Sequence, residues 1–294
     1  MQSSPRLESM AAPVFVFLWS TGFIGAKYGL PYAEPATFLA LRFALAAALL
    51  ATWVWLARAP WPSWRQAGHA AMIGILLHAV YLGGVYQGIA LGIEAGLSAL
   101  IVALQPVFTA LVARQLLGER LNRVQWGGIG LGCAGVALVV LRKIEGGAGT
   151  WLGVAFCMIS LVAIVIATVL QKRLAGDHPM RSTTAVQLGA ACLFLIPLSF
   201  LFETGEIAWT AQFSLSLAWL VLALSLGGWS LFLYLLRRGA ASHVASLFFL
   251  VPPATALMAW PLFGEVLGPV EVAGVSMTAA GVLMVNRPDV FNRG

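Results

Sequence analysis

Apolar residues fall along this 294-residue chain in long, almost unbroken runs, and polar residues gather in the short stretches between them. Ten such runs can be traced, near 10–30, 35–57, 67–88, 95–117, 125–142, 149–171, 183–202, 213–236, 241–263 and 269–286. Each approaches the roughly 20 residues that carry a helix across a hydrocarbon layer about 30 Å thick. Backbone groups in lipid must find their hydrogen bonds within the spanning segment, and no alternating strand pattern is present, so the runs predict helices. The expectation is an all-α polytopic membrane protein of ten transmembrane helices, with connections too short to hold a soluble domain.

The runs repeat. Residues 97–139 realign with 243–285 at an offset of 146, with about 17 of 43 positions identical. Leu104, Pro106, Thr109, Ala110, Leu111, Ala113, Leu116, Gly118, Glu119 and Leu121 meet Leu250, Pro252, Thr255, Ala256, Leu257, Ala259, Leu262, Gly264, Glu265 and Leu267. The offset divides the chain into residues 1–146 and 147–294, five helices each. Five is odd, so the second copy must enter the membrane in the opposite sense.

The basic residues carry the same message. With a cytoplasmic N-terminus, 13 of the 17 Lys and Arg residues fall in inside segments, while the outside loops hold Arg142 and Lys143, with Lys27 near the outer end of the first helix. Arg120 and Arg123 in the first copy become Val266 and Pro269 in the second, and Leu91 and Gly92 become Arg237 and Arg238. One backbone motif is thus basic where it faces the cytoplasm and stripped of base where it faces out. The reading places both termini in the cytoplasm of a bacterial cell, in its inner membrane.

Composition agrees: 60% of the residues are hydrophobic and only 10% charged, against about 25% charged in soluble domains. The net charge of +6 therefore reads as orientation signal in the loops, not as a nucleic-acid surface. Cys133, Cys157 and Cys192 lie inside apolar runs without ligand spacing and imply neither disulfide nor metal. No phosphate-cradling G-x-x-x-x-G-K-[ST] loop occurs, which excludes ATP as the motor, and no cofactor is expected.

Ten helices in a five-plus-five inverted repeat, each half with a proline in mid-helix before Leu-Leu-Gly-Glu-Arg-Leu or Leu-Phe-Gly-Glu-Val-Leu, resemble the EamA-type branch of the drug/metabolite transporter superfamily. Trp19-Ser20-Thr21-Gly22-Phe23 and Phe38-Leu39-Ala40-Leu41-Arg42-Phe43 are similar to that family's first two helices. The resemblance implies export or exchange of small metabolites such as amino acids. The YddG-type aromatic amino acid exporters are similar in length and layout.

Few side chains could bind such a substrate. All eleven acidic residues map to loops or helix ends, so no carboxylate stands at mid-depth, where proton relays and cation sites place one. His78 is the titratable group nearest the centre, and Tyr81 follows it on the same helical face. Trp19, Gln105 and Trp229 also fall near mid-depth. These five are either the wall of a substrate cavity or polar packing between helices. Arg42 and Lys27 are placed toward the outer ends of their helices, either snorkelling or paired with Glu34 or Glu94, or else lining a positive outer vestibule. Pro106 and the Pro252-Pro253 pair remove backbone donors at matched positions and predict paired bends. Gly83-Gly84 and Gly227-Gly228 would let helices approach closely.

The function expected is a secondary transporter exporting small amphipathic metabolites, amino acids first, by alternating access in the lipid bilayer and without ATP. An intramembrane enzyme on a lipid-soluble substrate would need a nucleophile–His pair or an Asp-rich metal site, and the chain has two aspartates, Asp177 and Asp289. Proton-coupled drug efflux would want the missing mid-membrane acid. The sequence assigns no oligomeric state.

Overall fold

The computed structural model describes residues 5–117, 121–147, 149–174, 179–231, 235, 247–266 and 268–286. Among them the chain is helical, and its only strand-like contact is an isolated bridge between Ala33 and Ile207. The helices are α1 (Pro5–Gly29), α2 (Pro35–Leu56), α3 (Trp64–Ala90), α4 (Ala95–Val102), α5 (Gln105–Leu117), α6 (Arg123–Glu145), α7 (Trp151–Leu174), α8 (Met180–Phe202), α9 (Ala211–Leu231), α10 (Val251–Phe263) and α11 (Pro269–Asn286). Seven described stretches are long and apolar enough to cross a membrane, and Pro269–Val285 is a shorter apolar helix. The Arg237-Arg238 pair, Asp177, Asp289 and the Gly118-Glu119-Arg120 loop lie outside the described residues.

The helix starts follow local chemistry. Ser63 and Asn122 each build a reciprocal capping box, with Gln66 and Gln125 three residues on, and the Thr210 hydroxyl accepts the Phe213 amide at the start of α9. The fourth run divides: α4 stops at Val102 and α5 restarts at Gln105, with Pro106 in its first turn. In the ninth run a 3₁₀ turn at Phe248–Leu250 leads into α10, with Pro252 and Pro253 in its first turn. These prolines therefore mark helix restarts, where the missing N–H has no intrahelical partner to lose.

Helix packing displays the repeat. The pairs α2–α8 and α6–α11 join repeat-equivalent helices, and α1–α10 is matched by α5–α7. Within α6–α11, Gly128 abuts the backbone of Gly281 and Gly135 that of Gly274. Rising numbers on one helix meet falling numbers on the other, so the equivalent helices are antiparallel. Small residues bring the two backbones together, which in lipid supplies the packing that water-driven burial supplies elsewhere. The outward surface is apolar, with Phe200, Leu193 and Leu215 each more than 70% exposed.

At the end of the bundle that carries Lys27, polar groups tie the helices together. The Glu203 carboxylate accepts the Ala36 and Thr37 amides at the start of α2, and Glu34 accepts the Thr204 amide in return. Glu265, buried, accepts the Ala95 and Gly96 amides at the start of α4 and pairs with Lys27 at 2.6 Å. Lys143 pairs with Glu94 at 2.9 Å. An acid at a helix N-terminus is favoured by the dipole as well as by the open amides.

Two helices leave α geometry in mid-span. Ile75–Val80 in α3 and Leu220–Gly228 in α9 form wider π-helical turns. Shifted by the repeat offset, the first falls on 221–226, inside the second.

Candidate functional site

Five helices line a central cavity of about 70 Å³, room for roughly two water molecules. Trp19, Gly22 and Phe23 enter from α1, Arg42 and Phe43 from α2, and His78, Tyr81, Val85 and Tyr86 from α3. Thr184 and Leu188 come from α8, and Leu224, Ser225 and Trp229 from α9. Both π turns face this space, with Leu77 and His78 on one and Leu224 and Ser225 on the other. Such turns commonly mark functional positions, because the extra residue per turn re-aims the side chains around it.

Four of the five residues expected at the substrate site come together here: His78, Tyr81, Trp19 and Trp229. The His78 ring packs between Phe43 and Trp229, with ring centroids 5.5 and 5.9 Å away. Its Nε2 is buried without a hydrogen-bond partner. Trp229 donates its indole N–H to the Thr184 hydroxyl at 3.1 Å. Trp19 lies against Phe15 and Phe248. Gln105 stands elsewhere: it donates to the Thr168 hydroxyl at 3.0 Å and lines a smaller neighbouring space that shares Trp19, Phe23 and Tyr81 with the cavity. At the foot of α5 its amide crosses to α7 instead of facing the centre.

Arg42 departs most from its expected place. It is not at an outer mouth but in the cavity wall, only 3% exposed. Its Nε donates to Ser225 Oγ at 3.2 Å and its Nη1 to Tyr86 OH at 3.0 Å, while the guanidinium lies 5.5 Å from the Phe43 ring centroid. Of its five N–H donors these bonds use two, and the groups that receive them are neutral. The side chain cannot snorkel because its face of α2 is turned toward α3 and α9. Lys27 takes neither Glu34 nor Glu94 but Glu265, 238 positions away in sequence. Pro106 lines the smaller neighbouring space, beside Gln105, and Pro252 a separate one that includes Glu265; neither they nor Pro253 line the central cavity.

Tyr86, Ser225, Thr184 and Glu265 were not singled out from the sequence. Tyr86 is five residues beyond Tyr81, a spacing that turns it off that residue's face in a regular helix. Glu265 stood in the doubled Gly-Glu motif, whose repetition was the available signal.

A larger open groove of about 510 Å³ runs along the side of the bundle between α3, α7 and α8. It lies on the far side of α3 from His78, and apolar residues exposed on the outer surface form much of its wall. Among the described residues no group of His, Cys, Asp or Glu could hold a metal ion.

Comparison with known proteins gives consistent results. The model of the EamA-like transporter family matches twice, over residues 8–141 and 151–287. "Uncharacterized transporter YvbV" of Bacillus subtilis is 29% identical, covering 97% of this chain and 94% of its own. The "Probable amino-acid metabolite efflux pump" of Salmonella typhimurium is 26% identical, covering 94% of each. The "Probable terminal-alkyne amino-acid exporter" of Streptantibioticus cattleyicolor is 30% identical, covering 68% of this chain and 67% of its own. A solved crystal structure, 18% identical in sequence, matches the fold with a TM-score of 0.67 over 97% of this chain and 98% of that one.

Proposed function

The chain belongs to the EamA-like transporter family, and from that premise we propose that it exports small amphipathic carboxylates, amino acids first, across a bacterial inner membrane. Transport proceeds by alternating access, with no ATP. Both termini stand in the cytoplasm, so the Lys27 end of the bundle faces out. The two halves, residues 1–146 and 147–294, rock against each other around the central cavity.

The observation that carries the substrate class is Arg42. Among the described residues, this buried guanidinium has two neutral hydroxyls and the Phe43 ring beside it and no acid, and a charge so placed is costly unless an anion joins it. A carboxylate suits the planar fork, and the aromatic and aliphatic walls suit an apolar side chain. A substrate cation would meet this charge with no acid to offset it, which argues against efflux of lipophilic cations. Two of the relatives are named for export of amino acids or their metabolites, in keeping with that chemistry. An intramembrane reaction would need a nucleophile activated by His78, and among the described residues none is hydrogen-bonded to its Nε2.

Counterflow in proteoliposomes tests the reading: vesicles preloaded with unlabelled amino acid should draw in the labelled one only when the protein is present. A panel of neutral amino acids and simple apolar monocarboxylates on which no member exchanges above protein-free vesicles would overturn it.

A further inference from the structure

The central cavity offers a cation to the substrate and no anion. Among the described residues, no acid lines its wall. Of the described ones that line other spaces, Glu265 is engaged with Lys27 and two amides, Glu94 with Lys143, Glu203 with the start of α2 and Glu34 with Thr204, while Glu271 lies in the separate space that holds Glu265. Residues 232–246, which follow Trp229 in the sequence, contain no Asp or Glu. Among the described residues, no carboxylate therefore stands where it could meet a substrate ammonium at this depth.

We infer that the preferred cargo is a net monoanion, a carboxylate with an apolar tail and no compensating ammonium, as in a 2-oxo acid, and that its passage carries charge. This rests on the reading of the cavity as a carboxylate site. Arg42 and such an anion form a neutral buried pair, with the donors not used by Ser225 and Tyr86 turned to the carboxylate. A zwitterion makes the same pair but adds a buried ammonium. The polar atoms at hand for it are neutral, chiefly the tyrosine hydroxyls and the unpartnered Nε2 of His78. Burying a charge against neutral partners is the more expensive arrangement. His78 Nε2 is better suited to a carbonyl or hydroxyl beside the carboxylate, donating to the one or accepting from the other according to its tautomer.

The driving force follows. With no co-transported cation bound by a carboxylate, each cycle moves the charge of the cargo alone. A cell interior that is negative expels an anion, and 100 mV supports a concentration ratio of about fifty-fold. Export would need no ion gradient beyond the potential itself.

The test uses the full-length protein in proteoliposomes, with leucine and the 2-oxo acid of the same carbon skeleton as a matched pair. A potassium diffusion potential set with valinomycin, positive inside, should accumulate the 2-oxo acid up to about fifty-fold per 100 mV, and reversing the potential should expel it. Leucine should move more slowly and should not respond to the potential. Arg42→Gln should abolish the advantage of the 2-oxo acid over leucine, although the wild-type measurements decide the matter alone. Leucine exchange without uptake of the 2-oxo acid would overturn this inference and leave the carboxylate reading standing. So would uptake of the 2-oxo acid that ignores the potential. Movement of neither compound above protein-free vesicles would count against the carboxylate reading itself.

Discussion

Two neighbouring glycines on α3 should respond oppositely to the same substitution. A Cβ on Gly84 would stand 2.6 Å from the carbonyl oxygen of Phe156 on α7 and would also strike the Ser160 side chain. A Cβ on Gly83 would meet nothing within 4 Å. Ordinary contact begins near 3.4 Å, so Gly84→Ala must push α3 and α7 apart by about 0.8 Å, and forcing volume into a packed contact costs about 1–3 kcal/mol. Against this, alanine in place of glycine in a helix gains at most about 1 kcal/mol. The balance makes Gly84→Ala destabilising by up to about 2 kcal/mol and Gly83→Ala neutral or stabilising by up to about 1 kcal/mol. Thermal unfolding of the purified protein in detergent reads the difference directly. The shift should reach function too, because α3 carries His78, Tyr81 and Tyr86, so Gly84→Ala should slow counterflow while Gly83→Ala does not. A Gly84→Ala protein as stable as the Gly83→Ala protein would refute the close approach of α3 to α7.

Three further outcomes are expected. Reporter fusions after Arg123 and after Glu271 should lie on opposite sides of the membrane, and the same side for both would refute the inverted arrangement. His78→Leu should cut counterflow at least tenfold with expression unchanged, and His78→Gln should abolish any response of transport to an imposed pH gradient, if the wild type shows one; wild-type rates in the leucine variant would return His78 to helix packing. Glu265→Ala removes both the ion pair and the cap of α4, so it should lower stability in unfolding assays by about 2–4 kcal/mol. Lys27→Met leaves the buried Glu265 carboxylate held by its two amides alone, so it should also destabilise, by about 1–3 kcal/mol, and a neutral outcome would contradict the pair.

The apolar runs made most of the spans legible, since lipid demands a long uninterrupted helix and the sequence must show it. They concealed the breaks. The fourth run reads as one helix because nothing polar interrupts Ala103 and Leu104, yet the backbone restarts there, and only Pro106 hinted at it. His78 and Tyr81 could be picked as polar residues in apolar surroundings, and both line the cavity. Arg42 was misplaced for a physical reason. Depth counted along one helix says nothing of which way the helix is turned, and a charge can snorkel only from a face that meets lipid. The partner of Lys27 depends on how the two halves dock, so the pair was hidden even though the doubled Gly-Glu motif contained Glu265.

The π turns have a consequence for how this cavity could change over generations. Deleting one residue from a regular helix rotates everything beyond it by about 100° and scrambles the packed face. In α3 the stretch Ile75–Val80 already holds residues in excess of an α turn, so the loss of one there can be absorbed by a return to ordinary α geometry, with the hydrogen-bond ladder unbroken. The helix beyond the turn keeps its facing, so Tyr81 and Tyr86 stay in the wall, and the change is confined to the turn itself, where Leu77 and His78 would be re-aimed. A single-codon deletion in either half is thus a short evolutionary path from one cargo to another.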